Sequence, residues 1–167
     1  MTHVRKLVGE DAETWRTLRL EALTLYPKAY LSTHDEAMSV PLENIADALD
    51  RGQTFGVFQD DEAVGIASLL PQHRTQTQHR GDIGGFYVRD AAQGQGASDL
   101  LMSALIEAAK EAGIWQLELN VADDNTRAIR FYRRHDFVEC GRIPNATLSD
   151  GARAADLLLV RSDPPGA

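Results

Sequence analysis

The chain has 167 residues, 43% of them hydrophobic and 25% charged, with a formal net charge of -8. That length predicts one domain with a core of its own, and the charge, with no basic run to match a phosphate backbone, argues against a nucleic-acid partner. No apolar run approaches membrane-spanning length and "MTHVRKLVGEDAETW" lacks an apolar leader segment, so a cytoplasmic protein with no membrane partner is expected.

In chain order, residues 3–7 ("HVRKL") read as a first strand. Over 10–25, Leu18, Ala22 and Leu25 fall at helical spacing, and Pro27 closes that helix. A second helix is expected in 39–50, with Ser39 as candidate N-cap and Leu42, Ile45 and Leu49 on one face. "TFGVF" and "AVGIASLL" flank Gln59-Asp60-Asp61-Glu62 and predict a hairpin. Residues 71–80 ("PQHRTQTQHR") read as an exposed polar loop, and 81–88 ("GDIGGFYV") as a strand. A helix over 98–112 carries Leu101, Leu105, Ala108 and Ala112 on one stripe and stops at Gly113. "IWQLELNV" alternates, with Trp115, Leu117, Leu119 and Val121 on one face and Gln116, Glu118 and Asn120 on the other. Asn125 stands where an N-cap belongs ahead of "TRAIRFYRRH", and "FVECGRI" and "ADLLLV" are two further strands. The expected order is β-α-α-β-β-β-α-β-α-β-β, an α/β protein with a mixed sheet. One domain over 1–161 and a flexible tail over 162–167 complete the expectation.

Between strand 81–88 and the next helix lies "QGQGAS", residues 93–98. Gly94 and Gly96 lack Cβ atoms, so backbone N–H groups at a helix N-terminus can approach a phosphate there. A turn of this kind also serves simply to bring strand and helix close together. A dinucleotide fingerprint would need a third glycine where Asp99 stands, and a Walker A loop would need a Lys-Ser/Thr that is absent.

With "FYV" before it and "LLMSAL" after it, this turn resembles the acyl-CoA pyrophosphate loop, Arg/Gln-x-x-Gly-x-Gly/Ala, of the GNAT N-acetyltransferase superfamily. Downstream, "LELNVADDNTRAIRFYRRHDFVECGR" is similar to that family's L-x-V-x-x-x-N-x-x-A-x-x-x-Y-x-x-x-G-F segment, with Asn125, Ala128, Tyr132, Phe137 and Gly141 in step. The N-terminal and late segments look alike too, so the resemblance covers nearly the whole chain. Two positions depart from the pattern. Ser98 replaces the last small residue of the loop, and Asp136 replaces the glycine before Phe137. Asp tolerates the left-handed backbone expected there, at a cost under about 1 kcal/mol.

The resemblance implies a GNAT-like fold, a central, mostly antiparallel mixed sheet flanked by about four helices. It implies acetyl transfer from acetyl-CoA to a primary amine by direct attack in a ternary complex. The cosubstrate contacts it implies are Gln93, Gly94, Gln95, Gly96, Ala97, Ser98 and Asn125, with a backbone N–H at Tyr87 or Val88 for the thioester oxygen. Tyr132 takes the position of the acid that protonates the leaving thiolate. Asp82 is the candidate base or amine-binding residue, although a carboxylate beside an amine favours its ammonium form. His79, at the exposed end of its loop, and Glu118 are the other base candidates. Cys140, the single cysteine, excludes an internal disulfide and fits a reducing compartment; it has no activating pattern around it and is expected as a buried strand thiol. His3, His34, His73, His79 and His135 show no metal-ligand spacing, so no metal is expected. The acceptor, a small-molecule or peptide amine, is left open; an acidic surface suits cations, and dimers are frequent in the family. The competing expectation is a non-catalytic acyl-CoA sensor of the same fold.

Overall fold

In the computed structural model, which describes residues 1–166, seven strands alternate with five α-helices among the described residues. The elements are β1 (Thr2–Lys6), α1 (Ala12–Leu25), α2 (His34–Ser39), α3 (Leu42–Asp50), β2 (Thr54–Gln59), β3 (Glu62–Pro71) and β4 (Arg80–Val88). There follow α4 (Ala97–Glu111), β5 (Gln116–Ala122), α5 (Thr126–Arg134), β6 (Val138–Ser149) and β7 (Ala152–Ser162). Sheet order is β1-β2-β3-β4-β5-β7-β6, mostly antiparallel, with β4 and β5 parallel. The chain divides into two compact units, residues 1–70 with 84–108, and residues 71–83 with 109 onward.

In the first unit β1 pairs antiparallel with β2, placing Val4 opposite Val57, and β2 pairs antiparallel with β3. The hairpin turns at Asp60 and Asp61, both at positive φ (48° and 67°). Asp is among the few residues that adopt this conformation readily, and two such residues in sequence match the strand twist. Beneath the sheet, Leu18 and Ala22 of α1 and Ile45 and Leu49 of α3 meet Leu7, Phe58, Ile66 and Tyr87 in one buried cluster. Helix α1 ends at Leu25, two residues before Pro27. The second predicted helix needs correcting. Ser39 is the last residue of the short α2, which Thr33 caps by accepting from the Glu36 N–H at 3.2 Å; Pro41 holds the N-cap position of α3. The S/T-x-x-E pattern Thr33–Glu36, a reciprocal capping box, marks this additional helix. On α4 the buried stripe is Leu101, Met102, Leu105, Ile106 and Ala109, and Ala112 is exposed.

In the second unit β5 runs antiparallel to β7, and β7 antiparallel to β6. Leu117, Leu119 and Val121 of β5 and Ala155, Leu157 and Leu159 of β7 alternate inward, as period-2 patterning requires. At the C-terminus of α4, Gly113 sits at φ 75°, its N–H donating to the Lys110 carbonyl at 3.0 Å. The Ile114 N–H reaches back to the Ala109 carbonyl at 2.8 Å, completing a Schellman stop. Asp136 takes the left-handed conformation expected of it, φ 64°. β7 ends at Ser162, and position 167 of the expected tail lies outside the described residues.

Candidate acyl-CoA and amine sites

In the first unit, the turn 93–96 leads directly into α4. Gly94 and Gly96 hold φ values of 77° and 85°, and nothing lies within 4 Å of a Cβ built on either. Glycine is therefore required by backbone conformation, while the space over the turn stays open. The two glutamines knit the turn rather than filling it. Gln93 Nε2 donates to the Val88 carbonyl at 2.6 Å and to Asp90 Oδ1 at 3.1 Å, and Gln95 Nε2 to the Ala91 carbonyl at 2.9 Å. The first α-helical bond runs from the Leu100 N–H to the Gly96 carbonyl, 2.9 Å. The N–H groups of Ala97 and Ser98 precede that bond, and the helix dipole favours an anion at that end. Ala97 is buried and Ser98 half-buried. An open glycine turn leading into a helix N-terminus fits a diphosphate.

Just before the turn, Tyr87 and Val88 are buried at the end of β4. Tyr87 Oη donates to Glu21 Oε1 at 2.6 Å, and Arg89 holds both oxygens of the same carboxylate. Burial pushes Glu21 up, but the hydrogen bonds from Arg89 and Tyr87 outweigh it and leave the carboxyl below its ordinary value. Burial and the neighbouring Glu21 raise the Tyr87 phenol, so it stays a donor. This lock pins α1 to the end of β4. Sequence reasoning missed it because the partners lie far apart in the chain, with no pattern linking them.

In the second unit, Asp82 lies opposite Glu118 in the parallel pairing of β4 and β5. Glu118 is bound bidentately by Arg80, at 2.5 and 2.6 Å. The Arg80 hydrogen bond holds the Glu118 carboxyl below its ordinary value despite burial. A carboxylate so held is a weak base at neutral pH, so Glu118 serves as half of an ion pair. Asp82 accepts from Gln72 Nε2 at 3.4 Å and stands close enough to Arg80 to raise it, after Glu118. His79 is half-buried, not exposed as its loop position implied, and stacks on Trp115 with centroids 4.4 Å apart.

Asn125 caps α5, and Tyr132 lies within it. The Asn125 side chain accepts from the Ala128 N–H at 3.2 Å, the cap its position predicts. The Tyr132 ring meets Phe137 edge-on at 5.8 Å and Phe131 at 5.4 Å. Cys140, expected buried, is exposed on β6, beside the register shift at Glu139/Gly141. A bulge there breaks the alternation from which burial was inferred. Among the described residues no group of three His, Cys, Asp or Glu side chains could hold a metal ion, and no helix is long and apolar enough to cross a membrane.

The chain is 28% identical over 145 residues to an aminoglycoside N(6')-acetyltransferase type 1 of Stenotrophomonas maltophilia, covering 84% of this chain and 88% of that one. Its fold matches a GNAT-family acetyltransferase from Streptococcus pneumoniae (TM-score 0.86, 20% identity, 98% and 100% of the two chains). It also matches yncA, a putative acetyltransferase from Salmonella typhimurium solved with its cofactor acetyl-CoA (TM-score 0.85, 18% identity, 100% and 97%). The Acetyltransferase (GNAT) family profile spans residues 15–137, and the chain belongs to that family.

Proposed function

We propose that this chain is an N-acetyltransferase moving the acetyl group of acetyl-CoA to a primary amine by direct attack in a ternary complex. The observation that carries this is the open turn at Gly94 and Gly96 that leads directly into α4. In the reaction the neutral amine attacks the thioester carbonyl, a C–N bond forms and the C–S bond breaks. The thiolate takes a proton, and the amine's surplus proton leaves to solvent. A lysine-like amine has a pKa of about 10.4, so its deprotonation at pH 7 costs roughly 4–5 kcal/mol.

The N–H groups of residues 95–98 hold the diphosphate of the cosubstrate. A backbone N–H of Tyr87 or Val88 faces the developing oxyanion, where preorganised donors are most effective. The Glu21 lock on the Tyr87 side chain keeps that stretch of β4 in place. Tyr132 protonates the thiolate, and Asn125 adds a cosubstrate contact to its capping role. Asp82 captures the ammonium, or relays its proton through water. Calorimetric titration with acetyl-CoA tests the cosubstrate half. Saturable binding in the wild type, lost in a folded Gly96→Leu variant, is expected; equal binding by both would sink the reading.

A further inference from the structure

Packing does little to hold the glycine turn ahead of α4. Nothing lies within 4 Å of a Cβ built on Gly94 or Gly96, and glycine backbone loses the most conformational freedom when it is ordered. Side-chain amides fix the turn instead. Gln93 Nε2 carries two hydrogens, and both are spent inside the protein, on the Val88 carbonyl at 2.6 Å and on Asp90 Oδ1 at 3.1 Å. None is left for a phosphate, so Gln93 sets where the turn begins rather than gripping what binds there. Its own direction depends in turn on Asp90, the first residue of the tight 3-10 turn Asp90–Ala92.

Asp90 is an exposed carboxylate one side-chain hydrogen bond away from a turn that fits a diphosphate. An anion at that place repels an anionic ligand. Its neighbour Arg89 does not offset it, because that guanidinium is divided between Glu21 and Glu62. The Asp90 carboxylate is nevertheless engaged on the side away from the turn. The Tyr26 hydroxyl lies 2.5 Å from Oδ1 and 2.7 Å from Oδ2, its single hydrogen shared between them. Tyr26 closes the C-terminus of α1, its N–H donating to the Ala22 carbonyl at 2.8 Å. Helix α1 is itself fixed to the core through Leu18 and Ala22. A continuous polar link therefore runs from a packed helix through Tyr26, Asp90 and Gln93 to the first glycine. We propose that Asp90 is a positioning residue for the cosubstrate: through Gln93 it fixes the diphosphate turn to the end of α1, and this anchoring outweighs the repulsion of its charge. The proposal rests on the acetyltransferase reading. Anchoring and repulsion act on the same ligand with opposite sign, which makes them separable.

The test compares acetyl-CoA with S-acetylpantetheine, the same thioester without diphosphate or nucleotide, in the wild type, Asp90→Ala and Tyr26→Phe. Both substitutions are at the surface, so both variants should fold. For acetyl-CoA, kcat/KM should fall by about 10-fold in Asp90→Ala and about 3-fold in Tyr26→Phe, through KM and with kcat unchanged. Values for S-acetylpantetheine should not move. A general structural role would lower both thioesters together, and a carboxylate acting only as a repelling charge would give a lower acetyl-CoA KM in Asp90→Ala. Either outcome, or an unchanged KM, overturns the proposal. Should the wild type neither bind nor consume acetyl-CoA, the acetyltransferase reading fails by itself. Asp90 is then judged by amide hydrogen exchange over residues 93–98, which should be faster in Asp90→Ala while exchange in β2 stays the same. Equal rates over 93–98 in wild type and variant would refute it.

Discussion

Neutralising Glu118 would leave the Arg80 guanidinium without its bidentate partner, and Glu118→Gln should destabilise the fold by about 1–3 kcal/mol at pH 7. The figure stays below that of a fully buried pair because the Arg80 side chain is 34% exposed. The pH dependence has a definite sign. Glu118 titrates lower folded than its ordinary 4.5, so its contribution is present above that value and is lost as pH falls through the folded pKa. Denaturant melts of wild type and variant should therefore differ at neutral pH and converge under acid. Tyr132→Phe keeps the ring that packs against Phe137 and removes only the hydroxyl. Turnover should fall by about 10²-fold, at the lower end for a lost general acid, with the acetyl-CoA KM nearly unchanged. Unaltered turnover would remove Tyr132 from the mechanism. Little of this residue-scale detail was legible in the sequence. Alternation placed Glu118 on the polar face of β5, but only the parallel pairing of β4 with β5 brings Arg80 to it.

The elements themselves were largely written in local chemistry. Asn125 caps α5, and Asn125→Ala should cost about 1 kcal/mol in thermal or denaturant unfolding, less any cosubstrate effect. Gly96 must sit at φ 85°, so Gly96→Leu should cost about 1–2 kcal/mol through backbone strain, with no clash to add because nothing surrounds the built Cβ. Circular dichroism should thus show a folded variant that no longer binds acetyl-CoA. The glycine after α4, the Asp60–Asp61 turn and the left-handed Asp136 were readable for the same reason: φ at such positions is restricted by residue type. What failed was continuity. One helix was expected over 39–50, but Pro41 cannot donate to a preceding turn, and the chain instead closes α2 and opens α3 around it. The Cys140 burial failed at a bulge, an irregularity that period-2 patterning cannot anticipate.

At the scale of the whole molecule, neither composition nor net charge specifies chemistry; a charge of -8 alone would have favoured cationic acceptors. The strand order, with β5 and β7 adjacent and β6 outermost, follows from long-range pairing that no local pattern encodes. Family membership supplies the acetyltransferase frame, and the open turn at the N-terminus of α4 gives it a physical anchor. The most direct test of that frame is release of free thiol from acetyl-CoA, followed with and without a panel of primary amines. Thiol release that depends on the amine and accompanies formation of its acetamide is the predicted result. Tight acetyl-CoA binding with no amine-dependent thiol release would contradict it and identify the chain as an acyl-CoA sensor.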